Sequence, residues 1–198
     1  MANDNKRTLQ NVITVGSCDV YVAKYTGAMP TKEEMCVDTN KFGHTKNGAT
    51  IKYEKDVTEL TDDFGRIKKT VLNSEKVTIG FGLFGWNGRT IEMIVSTAAV
   101  SEDAGLRTTE IGGLSNDDGQ VYVVCLHHID KQDGDAWYMG IGKNTEGLEL
   151  AYKQDDGTIL EPTFTCEPYN SEGRLLMYVE EIADEDSDTD SGNASNAG

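Results

Sequence analysis

The chain reads as a mainly β protein: an antiparallel β-sandwich or barrel of two packed sheets, with one flanking α-helix and one long loop. Three observations predict this. Residues 48–86 alternate apolar and polar side chains with a period of two on either side of a central turn. From residue 107 onward, short runs rich in β-branched and aromatic residues recur between turn-forming Asx-Gly clusters. Only residues 88–99 repeat apolar side chains at helical spacing.

Taken in order, residues 9–25 carry Val12, Ile13, Val15, Val20, Tyr21 and Val22 interrupted by Gly16-Ser17, which predicts two short strands or one bent strand. Residues 26–47 are poor in periodic apolar positions and rich in Gly, Pro and Asn. They predict a long loop with at best one helical turn, at Thr31 to Met35. A loop of that length in a compact domain is usually functional, and a contact between subunits through Met29, Pro30, Met35 and Phe42 is expected of it.

The alternating stretch then begins. Ile51, Tyr53 and Val57 fall on one face; Lys52, Glu54, Asp56 and Thr58 fall on the other. Thr61-Asp62-Asp63-Phe64-Gly65 supplies the turn. The return strand carries Ile67, Val71, Val77, Ile79, Phe81 and Leu83, with a bend expected near Asn73-Ser74. A hairpin so long is unstable alone, so its apolar face requires a second sheet or a helix.

Asn87 is a good N-cap for a helix over 88–99 with Ile91, Ile94, Val95 and Ala98 on its apolar stripe. Strands follow at 107–111, 120–130, 136–141, 147–152, 158–166 and 174–182. The turns between them include 116–119, 133–135, 155–157 and 171–173. Residues 183–198 hold five acids and no base, with nothing apolar larger than alanine, and predict a disordered acidic tail on a single domain spanning 1–182.

Composition limits function. With 34 acidic and 18 basic residues the chain has a formal net charge of −16, the opposite of a nucleic-acid-binding surface. No apolar run is long enough to cross a bilayer, and residues 1–7 open no signal-type core, so folding in a cytoplasm is expected. Cys18, Cys36, Cys125 and Cys166 are widely spread without a C-x-x-C pair, which favours reduced thiols over a zinc site or disulfides.

A catalytic set is missing from the pattern. His127 and His128 are adjacent on an expected strand and point to opposite faces, so they cannot readily share a metal. Gly80-Phe81-Gly82-Leu83-Phe84-Gly85 spells a dinucleotide fingerprint. The strand before it, however, alternates like an antiparallel half-buried strand and no βαβ units follow, so those glycines are expected to mark close backbone contacts in a twisted strand. No enzyme activity, cofactor or metal is expected.

The order of parts resembles the tail tube protein, or major tail protein, of long-tailed phages. The resemblance covers residues 12–182: an opening β segment, a loop ending in Gly43-His44-Thr45-Lys46-Asn47-Gly48, the strand Ile51-Lys52-Tyr53-Glu54, the turn Asp62-Asp63-Phe64-Gly65, and a second long strand into Phe84-Gly85-Trp86-Asn87. The single helix and the closing Glu167-Pro168-Tyr169-Asn170 to Leu175 complete it. This resemblance implies two packed sheets with one helix per subunit, six subunits per ring, and rings stacked into a tube that conducts the genome. It implies self-association, contacts with tape measure, terminator and tail-tip proteins, passage of DNA without specific binding, no membrane, and residence in the host cytoplasm and then the virion tail. Lys52, Glu54, Asp56 and Thr58 would then line an acidic lumen, with Asp62 and Asp63 at a rim. The alternatives are a contractile-tail or secretion-type inner tube, or a monomeric β-sandwich adhesin or binding domain.

Overall fold

The computed structural model describes residues 16–152 and 157–182. Residues 9–15 of the expected opening segment, part of the 155–157 turn and the acidic 183–198 segment lie outside them. The fold is mainly β. Strands β1 (Cys18–Lys24), β2 (Lys41–Gly43), β3 (Thr45–Thr61), β4 (Lys68–Leu83), β7 (Tyr122–His128), β8 (Ala136–Asn144), β9 (Thr163–Glu167) and β10 (Met177–Glu180) form one antiparallel eight-stranded sheet. Strands β5 (Ala98–Asp103) and β6 (Leu106–Ile111) form a separate hairpin. Helix α1 (Lys32–Met35) precedes β2, and α2 (Gly88–Ile94) follows β4.

The expected mainly β sandwich or barrel is realised with β5–β6 as a second, small sheet, while the large sheet curls on itself. Its order is β2-β1-β7-β8-β9-β4-β3, with β10 beside the first half of β8. Its end strands β2 and β3 are consecutive in the chain, joined only by His44, so covalent continuity closes the curl. Phe84 N–H donates to the His44 carbonyl at 2.8 Å, and Thr45 Oγ1 donates to the Cys18 carbonyl at 2.9 Å. The interior row of β4 (Val77, Ile79, Phe81, Leu83) meets Val20 and Val22 of β1, Tyr122, Val124 and Leu126 of β7, and Phe164 of β9. Phe81 stacks on Phe164 at 5.9 Å between centroids and meets the Phe42 edge at 6.1 Å. Burial of this apolar set at about 25 cal/mol per Å² is the main source of stability.

The opposite face of β1, β7 and β8 is covered as well. Tyr21, Val123, Cys125, Trp137, Met139 and Ile141 pack against Met29, Met35 and Cys36 from the segment before β2. A capping box fixes α1, with Thr31 Oγ1 accepting from Glu34 N–H and the Glu34 carboxylate accepting from Thr31 N–H. The 26–47 segment thus carries the helical turn expected at Thr31 to Met35, and the rest of the expected loop is anchored as well, by a 3-10 turn at Asp38–Asn40 and by β2. Short elements with one or two buried residues leave no periodicity to read.

Two other expectations change. The helix expected over 88–99 ends at Ile94, because Val95 adopts an extended conformation and Ala98 opens β5. The β-branched pair around Ser96 favours that exit. Residues 147–152 form no strand.

Strand β8 changes partner midway, from β10 at Ala136 to Met139 to β9 at Ile141 to Asn144. Gly140 and Gly142 sit at this bend, where the curl brings Cys166 Sγ and the Thr165 carbonyl against their α-carbons. Gly142→Ala is expected to destabilise the fold by about 1–3 kcal/mol, since its Cβ would collide with backbone. Gly147→Ala, which meets open space at ordinary backbone angles, should change stability by less than about 0.5 kcal/mol. Urea denaturation midpoints of the two variants check this.

Candidate functional site

The most unusual feature is the outer half of the β3–β4 hairpin. β3 runs out of the barrel wall and β4 returns into it, with Ile51 opposite the fully buried Ile79 inside the wall. Strand β9 pairs with β4 only at Thr78 to Gly80, and β3 ends the sheet. Past that point, among the described residues, the arm has no strand on either side. At roughly 3.3 Å per residue, residues 52–61 project about 30 Å.

The expected faces form, and outward from Val77, which is still buried, neither is covered among the described residues. On the face continuous with the barrel interior, Tyr53 lies opposite Val77 and Val57 opposite Leu72. Tyr53 is 55% exposed and Leu72 52% exposed. The tip adds Phe64, at 77%, and Ile67. The opposite face carries Lys52, Glu54, Asp56 and Thr58 together, as expected from their spacing.

A β-bulge at the expected bend decides what else each face carries. Asp56 pairs with Ser74 and Val57 with Leu72, so Asn73 is the extra residue of β4. Its amide donates to Asp56 Oδ2 at 3.1 Å and to Thr58 Oγ1 at 2.6 Å. The bulge moves Val71 to the polar face, opposite Thr58, and puts Leu72 beside Val57. Counting period-two from Val77 back to Val71 gives the wrong side.

The register also corrects the acidic reading of the polar face. Lys76 lies opposite Glu54, Lys69 opposite Leu60, and Lys52 Nζ sits 2.8 Å from Glu54 Oε1. Three lysines thus accompany two carboxylates. The hydrogen bond from Lys52, then its charge, holds the Glu54 carboxyl below its ordinary value. Residues on the partner strand cannot be placed from the pattern of one strand alone.

The four loop residues separate. Met35 is 1% exposed on the outer barrel face and Phe42 is buried inside the barrel, so neither is available to a neighbouring subunit. Met29 and Pro30 remain half-buried.

Other sites offer less. His127 and His128 do face opposite sides: His127 Nε2 lies 2.8 Å from Asp135 Oδ2 and stacks on Trp137, while His128 Nδ1 meets the Ser17 carbonyl at 3.2 Å. Among the described residues no cluster of three His, Cys, Asp or Glu is arranged to hold a metal. An open hollow of about 840 Å³ is lined by Asn47, Glu146, Glu149, Glu161 and Thr163, with no histidine, cysteine or lysine among its described lining. Gly82, within the fingerprint-like run, faces the Lys46 carbonyl so closely that no Cβ fits, which is the close backbone contact expected there.

The arm's tip depends on Asp62. Its Oδ1 accepts from the N–H groups of Ile67 at 2.9 Å and Arg66 at 2.5 Å, and these bonds, Ile67 first, hold the carboxyl below its usual range. Because the folded value is lowered, this contribution is complete above the ordinary carboxylate range and disappears as pH falls through the folded value. Asp62→Ala should speed amide exchange at Arg66 and Ile67 without moving the global unfolding midpoint, and acid should do the same to the native tip. Exchange measured by NMR across the acid range checks both. In comparisons with known proteins, no family model and no curated protein matches this chain.

Proposed function

We propose that this chain is a self-assembling structural protein, the tail tube subunit of a long-tailed phage, whose β3–β4 arm docks on neighbouring copies in a ring. The observation that carries the reading is the arm itself. Among the described residues it leaves two strand edges unpaired and exposes Tyr53, Val57, Leu60, Phe64, Ile67 and Leu72 outside the core. An uncovered hairpin of this length is marginal in water, and strand edges are templates for pairing. A repeated head-to-tail contact through such an edge closes a ring or continues as a filament.

In this reading the polar face of the arm lines the channel. Lys52, Lys69 and Lys76 against Glu54 and Asp56 leave that wall nearly balanced, without the dense cationic surface that would hold DNA by counterion release. The order of elements along the chain, which resembles the tail tube pattern, supports the same reading. Partners are then other copies and the tail proteins at the tube's ends and interior, and the destination is the virion tail.

Sedimentation velocity and negative-stain imaging test it. Wild-type protein is expected to form rings or tubes as concentration rises. Val57→Asp with Leu72→Asp is expected to remain monomeric while folding normally, because both side chains are already in water in the single subunit. Wild-type protein that stays monomeric at every concentration would overturn the proposal in favour of a monomeric binding domain. Normal assembly by the double variant would overturn the arm's role.

A further inference from the structure

We infer that Cys36 and Cys125 form a redox-closable clip, which a small disulfide such as oxidised glutathione converts to an intramolecular bond that fixes the segment before β2 onto the barrel. The inference is independent of tube assembly. The two Sγ atoms lie 3.9 Å apart although the residues are 89 positions apart in sequence. All four cysteines are present as free thiols. Cys125 is wholly buried in the middle of β7, whereas Cys36, just past α1, is partly exposed and reachable.

The surroundings keep the pair in register. Met35, next to Cys36, is seated among Tyr21, Trp137 and Met139. Lys32 Nζ lies over the Trp137 ring at 3.8 Å, and Asn40 Nδ2 donates to the carbonyls of Glu34 and Met35 at 3.3 and 3.2 Å. Closing the sulfurs to bonding distance requires a shift of about 2 Å, within reach of side-chain rotation and a small slide of α1. A bond across so large a loop constrains the unfolded chain strongly.

The exchange balances without a further reactant. The Cys36 thiolate attacks one sulfur of glutathione disulfide, breaking that bond and releasing one glutathione, which takes up a proton. Cys125, having lost its proton to solvent base, attacks Cys36 Sγ and expels the second glutathione. Two protein thiols are oxidised by two electrons, and one disulfide is reduced to two thiols. Burial pushes both thiols up, so exchange should quicken as pH rises.

The experiment treats the full chain with oxidised glutathione under native conditions at about pH 8.5, near the ordinary thiol range. Expected results are the loss of two hydrogens by intact mass, a peptide map linking residues 36 and 125, and slower amide exchange across residues 31–40. The oxidised form should also melt several degrees higher. Cys36→Ser should abolish the linkage and Cys18→Ser should preserve it. Since Cys125→Ser risks the core, Cys125→Ala serves beside it, and the peptide map identifies the bond without either variant. A glutathione adduct on Cys36 that never resolves, a link between other cysteines, or a folded protein that stays fully reduced would each overturn the clip.

Discussion

Strand β4 turns Val77, Ile79, Phe81 and Leu83 into the barrel, where residues of β1, β2, β7, β9 and α2 pack with that row in one core. The row is continuous with an exposed arm, because β4 is sixteen residues long while β9 supports it only at Thr78 to Gly80. The same alternation therefore serves a packed interior at one end and a water-facing surface at the other. Removing the interior half would cost the fold; altering the outer half leaves the subunit's core untouched.

The barrel closes around this strand by close backbone approach as well as by side-chain packing. Gly82 lets β4 approach the Lys46 carbonyl, and Gly142 lets β8 approach Thr165 where β8 exchanges β10 for β9. Once closed, the sheet has an outer face that also carries apolar residues, and α1 with its flanking residues covers it. The α2 helix with the β5–β6 hairpin forms a smaller unit beside it. Glu102 there holds Arg89 at 3.1 Å and Arg107 at 2.8 Å, an exposed network of modest worth.

Charge is distributed unevenly between these parts. The 16 excess negative charges of the chain are not concentrated on the arm's polar face, where lysines and carboxylates interleave across the two strands. Cross-strand pairing of opposite charges favours the hairpin register and leaves the face nearly balanced.

The mainly β class, the long hairpin with its turn at Asp62, the bend near Asn73 and the opposed histidines are all legible from the residues alone. Each rests on local chemistry: period-two alternation, Asx-Gly turns, and the alternation of side chains along a strand. The folded chain alone reveals that the large sheet curls on itself, since strand order depends on pairings distant in sequence. The fold also makes Val71 and Leu72 exchange faces, because one unpaired residue inverts the alternation beyond it. It placed Lys76 opposite Glu54, and it buried Met35 and Phe42 from a segment without periodicity. It also brought Cys36 against Cys125, because a contact between residues so far apart exists only once the barrel has closed and α1 has settled on its outer face.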